Sequence, residues 1–195
     1  IEMYKHIQKY GFTYTEEISK ELYSECRNAY NTNSWHVGTQ EFDASFIGWV
    51  GFMASANGRF FDGGYSGVSK TKIGTERNYI DESIRGLKKE FPDIQDVDFI
   101  SEDYLNLDFK NSLIYCDPPY KGTKTYNTSK NFDHEKFFNW CRQQAKNNVV
   151  FVSEYDAPDD FECVWSQEVK SSLSANGVCG GSKKSVEKLF KVNPK

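Results

Sequence analysis

The spacing of apolar and polar positions along the chain predicts where its helices and strands lie. In segment 78–91 the apolar residues recur at helical spacing, at Ile80, Ile84, Leu87 and Phe91. This spacing is typical of an amphipathic helix with one face against a core. Pro92 follows directly, and we expect the helix to end there.

The same pattern predicts the other elements. We expect a surface helix in 15–30, a buried helix in 42–56, a further helix in 134–146 and short strands at 97–100, 112–116, 149–152, 161–169 and 186–192. Segment 31–41 is rich in turn residues, and the glycines of 57–74 predict an irregular loop or a hairpin. Strands that alternate with helices predict an α/β fold with a mainly parallel sheet.

Length and composition narrow the class of protein. A chain of 195 residues fits one compact domain with room for a small inserted subdomain. The composition, 38% apolar and 27% charged, is that of a globular protein rather than a disordered one. No stretch approaches the roughly 18 to 20 apolar residues of a membrane span, and the N-terminus lacks a signal-peptide core, so we expect a cytoplasmic protein.

The cysteines and histidines do not predict a metal site. The chain has five cysteines and three histidines, at Cys26, Cys116, Cys141, Cys163, Cys179, His6, His36 and His134. They form no CxxC pair and no cluster with the ligand spacing of a zinc site. We therefore expect free, mostly buried thiols and no metal.

The distribution of charge matters more than the net charge of −4. Cations concentrate in 59–89, and segment 121–130 has three lysines and no acid, whereas acids concentrate in 90–108 and 154–162. A protein with one basic face can bind the phosphates of a nucleic acid despite a negative total. A mixed, solvated surface is the alternative.

Segment 113–120, with the sequence LIYCDPPY, has the most specific chemistry. An apolar strand runs directly into Asp117, Pro118, Pro119 and Tyr120. Open α/β sheets bind ligands at this end of their strands. The prolines fix φ near about −65° and remove two N–H donors, which leaves a stiff turn of carbonyl acceptors.

Such a turn suits an aromatic amine, whose lone pair is delocalised into its ring. The Asp117 carboxylate and the Pro118 carbonyl could each accept one N–H and so favour the nucleophilic form of the nitrogen. Tyr120 could stack on a base taken out of a duplex. The alternative is that these four residues are only a rigid loop.

The segment resembles the DPPY motif of amino-group methyltransferases, which use S-adenosylmethionine (AdoMet). The wider chain is similar to the Dam-type adenine methyltransferases of phages and bacteria. In that comparison 46–65 resembles the target-recognition region, 99–104 the acidic strand end that contacts the AdoMet adenine, and 182–190 the closing strand. The resemblance covers nearly the whole chain, and Asp117 to Tyr120 is its most specific part.

The resemblance implies a Rossmann-like AdoMet-dependent methyltransferase sheet with a small helical target-recognition insertion. It assigns 1–31 to a helix of the core, 32–77 to target recognition and 78–195 to the catalytic core. Asp117, Pro118, Pro119 and Tyr120 would be catalytic, and Asp103, Tyr104 and Asp117 would bind AdoMet. A solvated acid at a strand end is the alternative for Asp103.

Double-stranded DNA is the implied partner. Arg and Lys contact guanine edges or phosphates, and Asn can read adenine, so the candidates for target recognition are Arg59, Lys70, Lys72, Arg77 and Asn78. The resemblance also implies that loop 121–132, with Lys124 and Tyr126, closes over the flipped base. A mobile surface loop is the alternative.

The chain departs from the family at its beginning. Members normally open with a strand and a Phe-x-Gly-x-Gly type of turn for the methionine part of AdoMet, then a strand ending in Asn-Asp for the ribose. Neither is found here, so the sequence predicts an N-terminally shortened enzyme with an open sheet edge. An inactive remnant that only binds DNA is therefore the alternative function. Methylation of RNA or of a protein glutamine is disfavoured, because those relatives usually have Asn at the position of Asp117.

Overall fold

The computed structural model of the chain describes residues 1–33, 43–70, 73–121, 131–170 and 184–194. Its internal contacts divide it into two compact units, Ile1–Ser101 and Glu102–Lys195. The elements make it a mixed α/β protein, as the hydrophobic pattern predicts. The division into 1–31, 32–77 and 78–195 stays a prediction, and most of segment 31–41 lies outside the described residues.

The first unit is mainly helical. Its helices are α1 (Glu2–Tyr10), α2 (Lys20–Thr32), α3 (Ala44–Met53) and α4 (Tyr79–Ile94). Three of them begin at an N-cap residue whose side chain accepts a backbone N–H of the first turn. These residues are Ser19, Asp43 and Asn78. The predicted buried helix is confirmed: α3 contacts the other three helices and buries Ile47, Trp49 and Val50 in their common core.

Helix α4 does not end at Pro92, as the sequence predicts, but continues to Ile94. The proline in the last turn removes only one N–H donor from the helix. The helix continues for only two residues beyond it. The end of the helix also has a donor from elsewhere in the chain. Gln8 Nε2 lies 3.1 Å from the Ile94 carbonyl, 3.0 Å from that of Gln95 and 2.8 Å from that of Val97.

The strand predicted at 97–100 does not form. Val97 and Ile100 are exposed, at 43% and 60% of their surface, so the apolar run is not a buried strand. Phe99 instead stacks on Tyr4, with ring centroids 4.9 Å apart. A short apolar run defines a strand only where a partner strand pairs with it, and no described strand pairs here.

The sequence predicts a loop or a hairpin in 57–74, and a hairpin begins in this segment and ends beyond it. A 3-10 turn at Ala56–Gly58 is followed by strands β1 (Val68–Lys70) and β2 (Glu76–Asn78). The two strands are antiparallel, with Ser69 opposite Arg77. All six strand residues are exposed, so the hairpin presents its side chains to solvent.

The second unit is a four-stranded sheet with a helix on one face. It comprises β3 (Leu113–Cys116), helix α5 (His134–Gln144), β4 (Val149–Glu154), β5 (Phe161–Lys170) and β6 (Lys184–Val192). The strand order is β3-β4-β6-β5. Only β3 and β4 are parallel, whereas β6 pairs antiparallel with both β4 and β5.

The sheet is therefore mixed, and the prediction of a mainly parallel sheet is wrong. One face of it is closed by α5, where Phe137, Phe138 and Cys141 pack on Val150 and Val152. On the other face of edge strand β3, Leu113 is 70% exposed and Tyr115 60% exposed. Among the described helices of both units, none is long and apolar enough to cross a membrane.

Candidate active site

The Asp-Pro-Pro-Tyr turn follows β3 directly, as the sequence predicts. Because β3 and β4 are parallel, the turn and the last residues of β4 lie at the same edge of the sheet. Asp117 is exposed, Pro118 is buried, and Pro119 and Tyr120 are half-buried. Within the described part of the chain, the Asp117 carboxylate forms no ion pair and accepts no hydrogen bond, which leaves it accessible as an acceptor.

Residues from β4 and α5 hold the turn in place. The Tyr120 hydroxyl hydrogen-bonds to the Ser153 hydroxyl, and its ring lies edge-on to that of Tyr155 at 4.8 Å. The Lys121 N–H donates to Glu154 Oε1 at 2.6 Å. His134 Nε2 lies 2.8 Å from the Pro119 carbonyl oxygen.

His134 is not predicted as a site residue by the sequence, whereas Ser153 and Glu154, at the end of a predicted strand, are candidates to line the same sheet edge as Asp103. Glu154 carried one available signal, since it continues the row of alternate β4 positions that faces the core, after Val150 and Val152. A charged residue in such a row requires partners. His134 gave no comparable signal, because its role depends on where helix α5 begins.

The Tyr120 hydroxyl stays neutral at neutral pH. Burial raises its pKa, and the Asp117 and Glu187 carboxylates raise it further, against the opposite effect of the Ser153 hydrogen bond. Tyr120 therefore presents an uncharged ring and a hydroxyl engaged with β4. Both properties suit a stacking surface.

A cavity of about 600 Å³ lies beside β3. Its lining comprises Tyr104, Leu107, Phe109, residues 112–118, Phe137 and Trp140. The cavity thus brings Tyr104 together with Asp117 and Pro118, three of the residues that the sequence selects. Asp103, Pro119 and Tyr120 do not line it.

Asp103 does not end a strand, contrary to the prediction. It precedes the 3-10 turn Tyr104–Asn106, and its carboxylate accepts the Leu105 N–H at 3.0 Å. The neighbouring Tyr104 is half-buried, with its ring against those of Phe137 and Trp140 at 5.6 and 5.4 Å. Burial raises the pKa of Tyr104, so its hydroxyl also stays neutral.

The cysteines of the described residues are free thiols. Cys26 and Cys141 are buried, Cys116 is half-buried and Cys163 is exposed, whereas Cys179 lies outside the described residues. A hydrogen bond with Cys116 and burial raise the pKa of Cys141. The thiol of Cys141 is therefore neutral and belongs to the packing between β3 and α5.

Four of the candidate DNA-binding residues are described, Arg59, Lys70, Arg77 and Asn78, and they lie in the first unit. Both arginines among them form ion pairs. The ion pairs of the basic stretch are Arg59 with Asp62, Arg77 with Glu82, Arg85 with Asp81 and Lys88 with Glu16. The Arg77 pair is bidentate, with both N···O distances at 2.7 Å. These hydrogen bonds and the charge of Glu82 raise the pKa of Arg77.

The remaining candidates differ in their surroundings. The Asn78 side-chain oxygen accepts the N–H groups of Ile80 and Asp81 at 3.1 and 3.2 Å, so it caps helix α4. Lys70 is exposed at the end of β1, opposite Glu76. Lys72, Lys124 and Tyr126 lie outside the described residues.

Among the described residues, no group of three or more His, Cys, Asp or Glu side chains is arranged to hold a metal ion. Comparison with models of protein families gives no match for this chain. Comparison with curated protein sequences gives no significant match either.

Proposed function

We propose that this chain is an AdoMet-dependent methyltransferase that acts on the exocyclic amino group of adenine in double-stranded DNA. The observation that carries the proposal is the turn after β3. There the accessible Asp117 carboxylate and the adjacent Pro118 carbonyl lie at the carboxyl end of a parallel strand pair. This is the end of an α/β sheet at which ligands bind.

The turn supplies acceptors without donors. Pro118 and Pro119 lack N–H groups, so an amine that approaches the turn meets the Asp117 carboxylate and the Pro118 carbonyl. One N–H donated to each would draw the nitrogen lone pair out of conjugation and direct it at the methyl group. When bound, AdoMet supplies that methyl group on a positively charged sulfur, which makes a covalent enzyme intermediate unnecessary.

The reaction is a single displacement at the methyl carbon. The amine nitrogen forms the N–C bond, the C–S bond breaks, and the sulfur leaves with the electron pair as a neutral thioether. The nitrogen then loses one proton, for which the Asp117 carboxylate is the nearest acceptor. Most of the rate would come from proximity and orientation of the two reacting groups.

The cavity beside β3 has the chemistry of an aromatic ligand site. Tyr104, Phe137 and Trp140 present ring surfaces, and the cavity reaches Asp117 and Pro118. Such a lining, apolar with few polar groups, is typical of small-molecule sites. Tyr104 is therefore the residue of this cavity that we assign to the cofactor, within a Rossmann-like methyltransferase fold.

The test is methyl transfer by the whole chain. The protein is incubated with tritium-labelled AdoMet and unmethylated duplex DNA of mixed sequence, and label is scored in N6-methyladenine after digestion. We expect transfer by the unaltered chain, and a loss of about 100-fold or more in Asp117→Ala, since one preorganised polar contact is often worth that much. Asp159→Ala, which removes another exposed acid of the same unit, is the matched control.

Three outcomes separate the alternatives. Full activity of Asp117→Ala would show that the catalytic assignment is wrong. Absence of transfer from the unaltered chain, together with DNA binding that Asp117→Ala leaves intact, would favour the DNA-binding remnant. Absence of both would overturn the proposed function as a whole.

A further inference from the structure

Glu154 is placed where a strand would ordinarily have an apolar side chain. It is fully buried, at 0% exposure, in the same row of β4 as Val150 and Val152. A buried carboxylate is costly unless hydrogen bonds replace its water. A leucine in this row would add to the core at no such cost, so the packing of the sheet alone does not explain the glutamate.

Both oxygens of Glu154 accept backbone N–H groups. Oε2 accepts from Tyr155 at 2.6 Å, and Oε1 accepts from Lys121 at 2.6 Å. The first bond is local to the end of β4. The second crosses to the chain segment that leaves the Asp-Pro-Pro-Tyr turn, so the buried carboxylate fixes the exit of the turn to the sheet.

His134 holds the same turn from helix α5. Its Nε2 lies 2.8 Å from the Pro119 carbonyl oxygen and 3.7 Å from Glu154 Oε1. Because a carbonyl oxygen only accepts, the Nε2 atom must carry a hydrogen. His134 is therefore oriented as a donor to the turn, with the Glu154 carboxylate beside it.

These contacts restrict the position of the two catalytic acceptors. At its entry the turn is fixed by β3, whereas at its exit it is fixed by Glu154 and His134. Asp117 and Pro118 lie between these two attachments. A displacement of about 1 Å between reacting groups can cost about 100-fold in rate.

We infer that Glu154 and His134 are positioning residues of the methyl-transfer site, which act on the substrate amine only through the turn. The inference rests on the proposed function, since its consequence is a rate of methyl transfer. Neither side chain lines the cavity beside β3, so in this arrangement both would act without touching the cofactor. Their loss should therefore lower kcat and leave KM for AdoMet and DNA nearly unchanged.

The test uses two pairs of variants in the whole chain. Glu154→Leu makes this row of β4 apolar throughout and removes both acceptor oxygens. Its control is Glu162→Gln, at an exposed position of β5. His134→Leu removes the donor, whereas His134→Gln keeps an N–H that can reach the Pro119 carbonyl. We expect kcat to fall about 10- to 100-fold in both leucine variants, to recover in part in His134→Gln, and to be unchanged in Glu162→Gln.

Amide exchange measured by NMR provides a readout that does not depend on activity. We expect the Lys121 amide to exchange about tenfold faster or more in Glu154→Leu, because its charged acceptor is gone. Faster exchange with an unchanged kcat would overturn the inference, as would a raised KM with kcat intact. Unchanged exchange would overturn it as well, since Glu154 would then not hold the turn.

The same two readouts keep this inference distinct from the proposed function. An unaltered chain without methyl transfer would overturn the proposed function and, with it, the catalytic consequence. The exchange rate of Lys121 would still decide whether Glu154 holds the turn. A fully active chain with an active Glu154→Leu variant would instead overturn only the positioning inference.

Discussion

Arg77 is the candidate DNA contact whose charge is most firmly engaged within the protein. Its guanidinium forms two hydrogen bonds with Glu82 and lies over the Tyr79 ring at 4.7 Å. A phosphate would have to displace the Glu82 carboxylate. If Arg77 contacts DNA, we expect Glu82→Gln to tighten binding about two- to fivefold at low salt, because an exposed ion pair competes only weakly with a phosphate.

The matched control is Glu90→Gln, which removes the same charge from an exposed position of the same helix. Binding is measured with a labelled duplex over a range of salt concentrations. We expect the slope of log K against log salt to steepen by about 0.9 for Glu82→Gln, since one more phosphate is neutralised. Equal effects of both variants would mean that only net charge matters and that Arg77 does not contact DNA.

The sequence predicts where the Asp-Pro-Pro-Tyr turn lies, but it does not predict the partners of the candidate DNA contacts. Asp117 and its neighbours follow an apolar strand, and their chemistry is local to four consecutive residues. Asn78 could read adenine or cap a helix, and in the structure its side chain caps α4. A cap signal was present, because Asn78 precedes the apolar pattern that begins at Ile80. Partners such as Glu82 for Arg77 depend on side-chain rotamers, which no periodicity encodes.

One side chain of α1, that of Gln8, reaches the end of α4. The Gln8 amide donates to the carbonyls of Ile94, Gln95 and Val97, at the end of α4 and just after it. These carbonyls have no partner inside the helix. We expect Gln8→Ala to lower the free energy of unfolding by about 1 kcal/mol, the usual worth of such hydrogen bonds. Gln8→Glu should lower it further at neutral pH, because a carboxylate cannot donate and would face the carbonyl oxygens.

Urea unfolding followed by circular dichroism measures both variants. Lys9→Ala, at the neighbouring exposed position of α1, is the control for a change in helix propensity. Equal stability of Gln8→Glu and Gln8→Ala would contradict the donor role. So would a destabilisation by Lys9→Ala as large as that of Gln8→Ala.

Most whole elements were predicted, although helix α1 was not. Helices α3, α4 and α5 and strands β3 to β6 occur where the pattern places them. The direction of strand pairing was not predictable, because β6 has the same apolar content whether it pairs parallel or antiparallel. The segment 97–100 shows the same limit, since four residues of strand-like composition form no strand when Phe99 packs on Tyr4.

The described residues form two hydrophobic clusters, one in each compact unit. The first is built from helices α1 to α4 and includes Ile84, and the second lies between α5 and the sheet and includes Val150. Both of these residues are fully buried. The apolar pattern predicts each buried residue from its own element, but which elements share a core depends on tertiary contacts between distant segments.

Because the clusters share no residue, we expect each to determine the local stability of its own unit. Ile84→Ala should lower the free energy of unfolding by about 2 to 4 kcal/mol. It should accelerate amide hydrogen exchange in α1, α3 and α4, whereas Val150→Ala should accelerate exchange in α5 and β3 to β6. Exchange followed by mass spectrometry on both variants makes each the control for the other. If either substitution accelerated exchange equally throughout the described elements, the two clusters would unfold in one cooperative step. A loss of packing far from the Asp-Pro-Pro-Tyr turn would then lower methyl transfer through global unfolding alone.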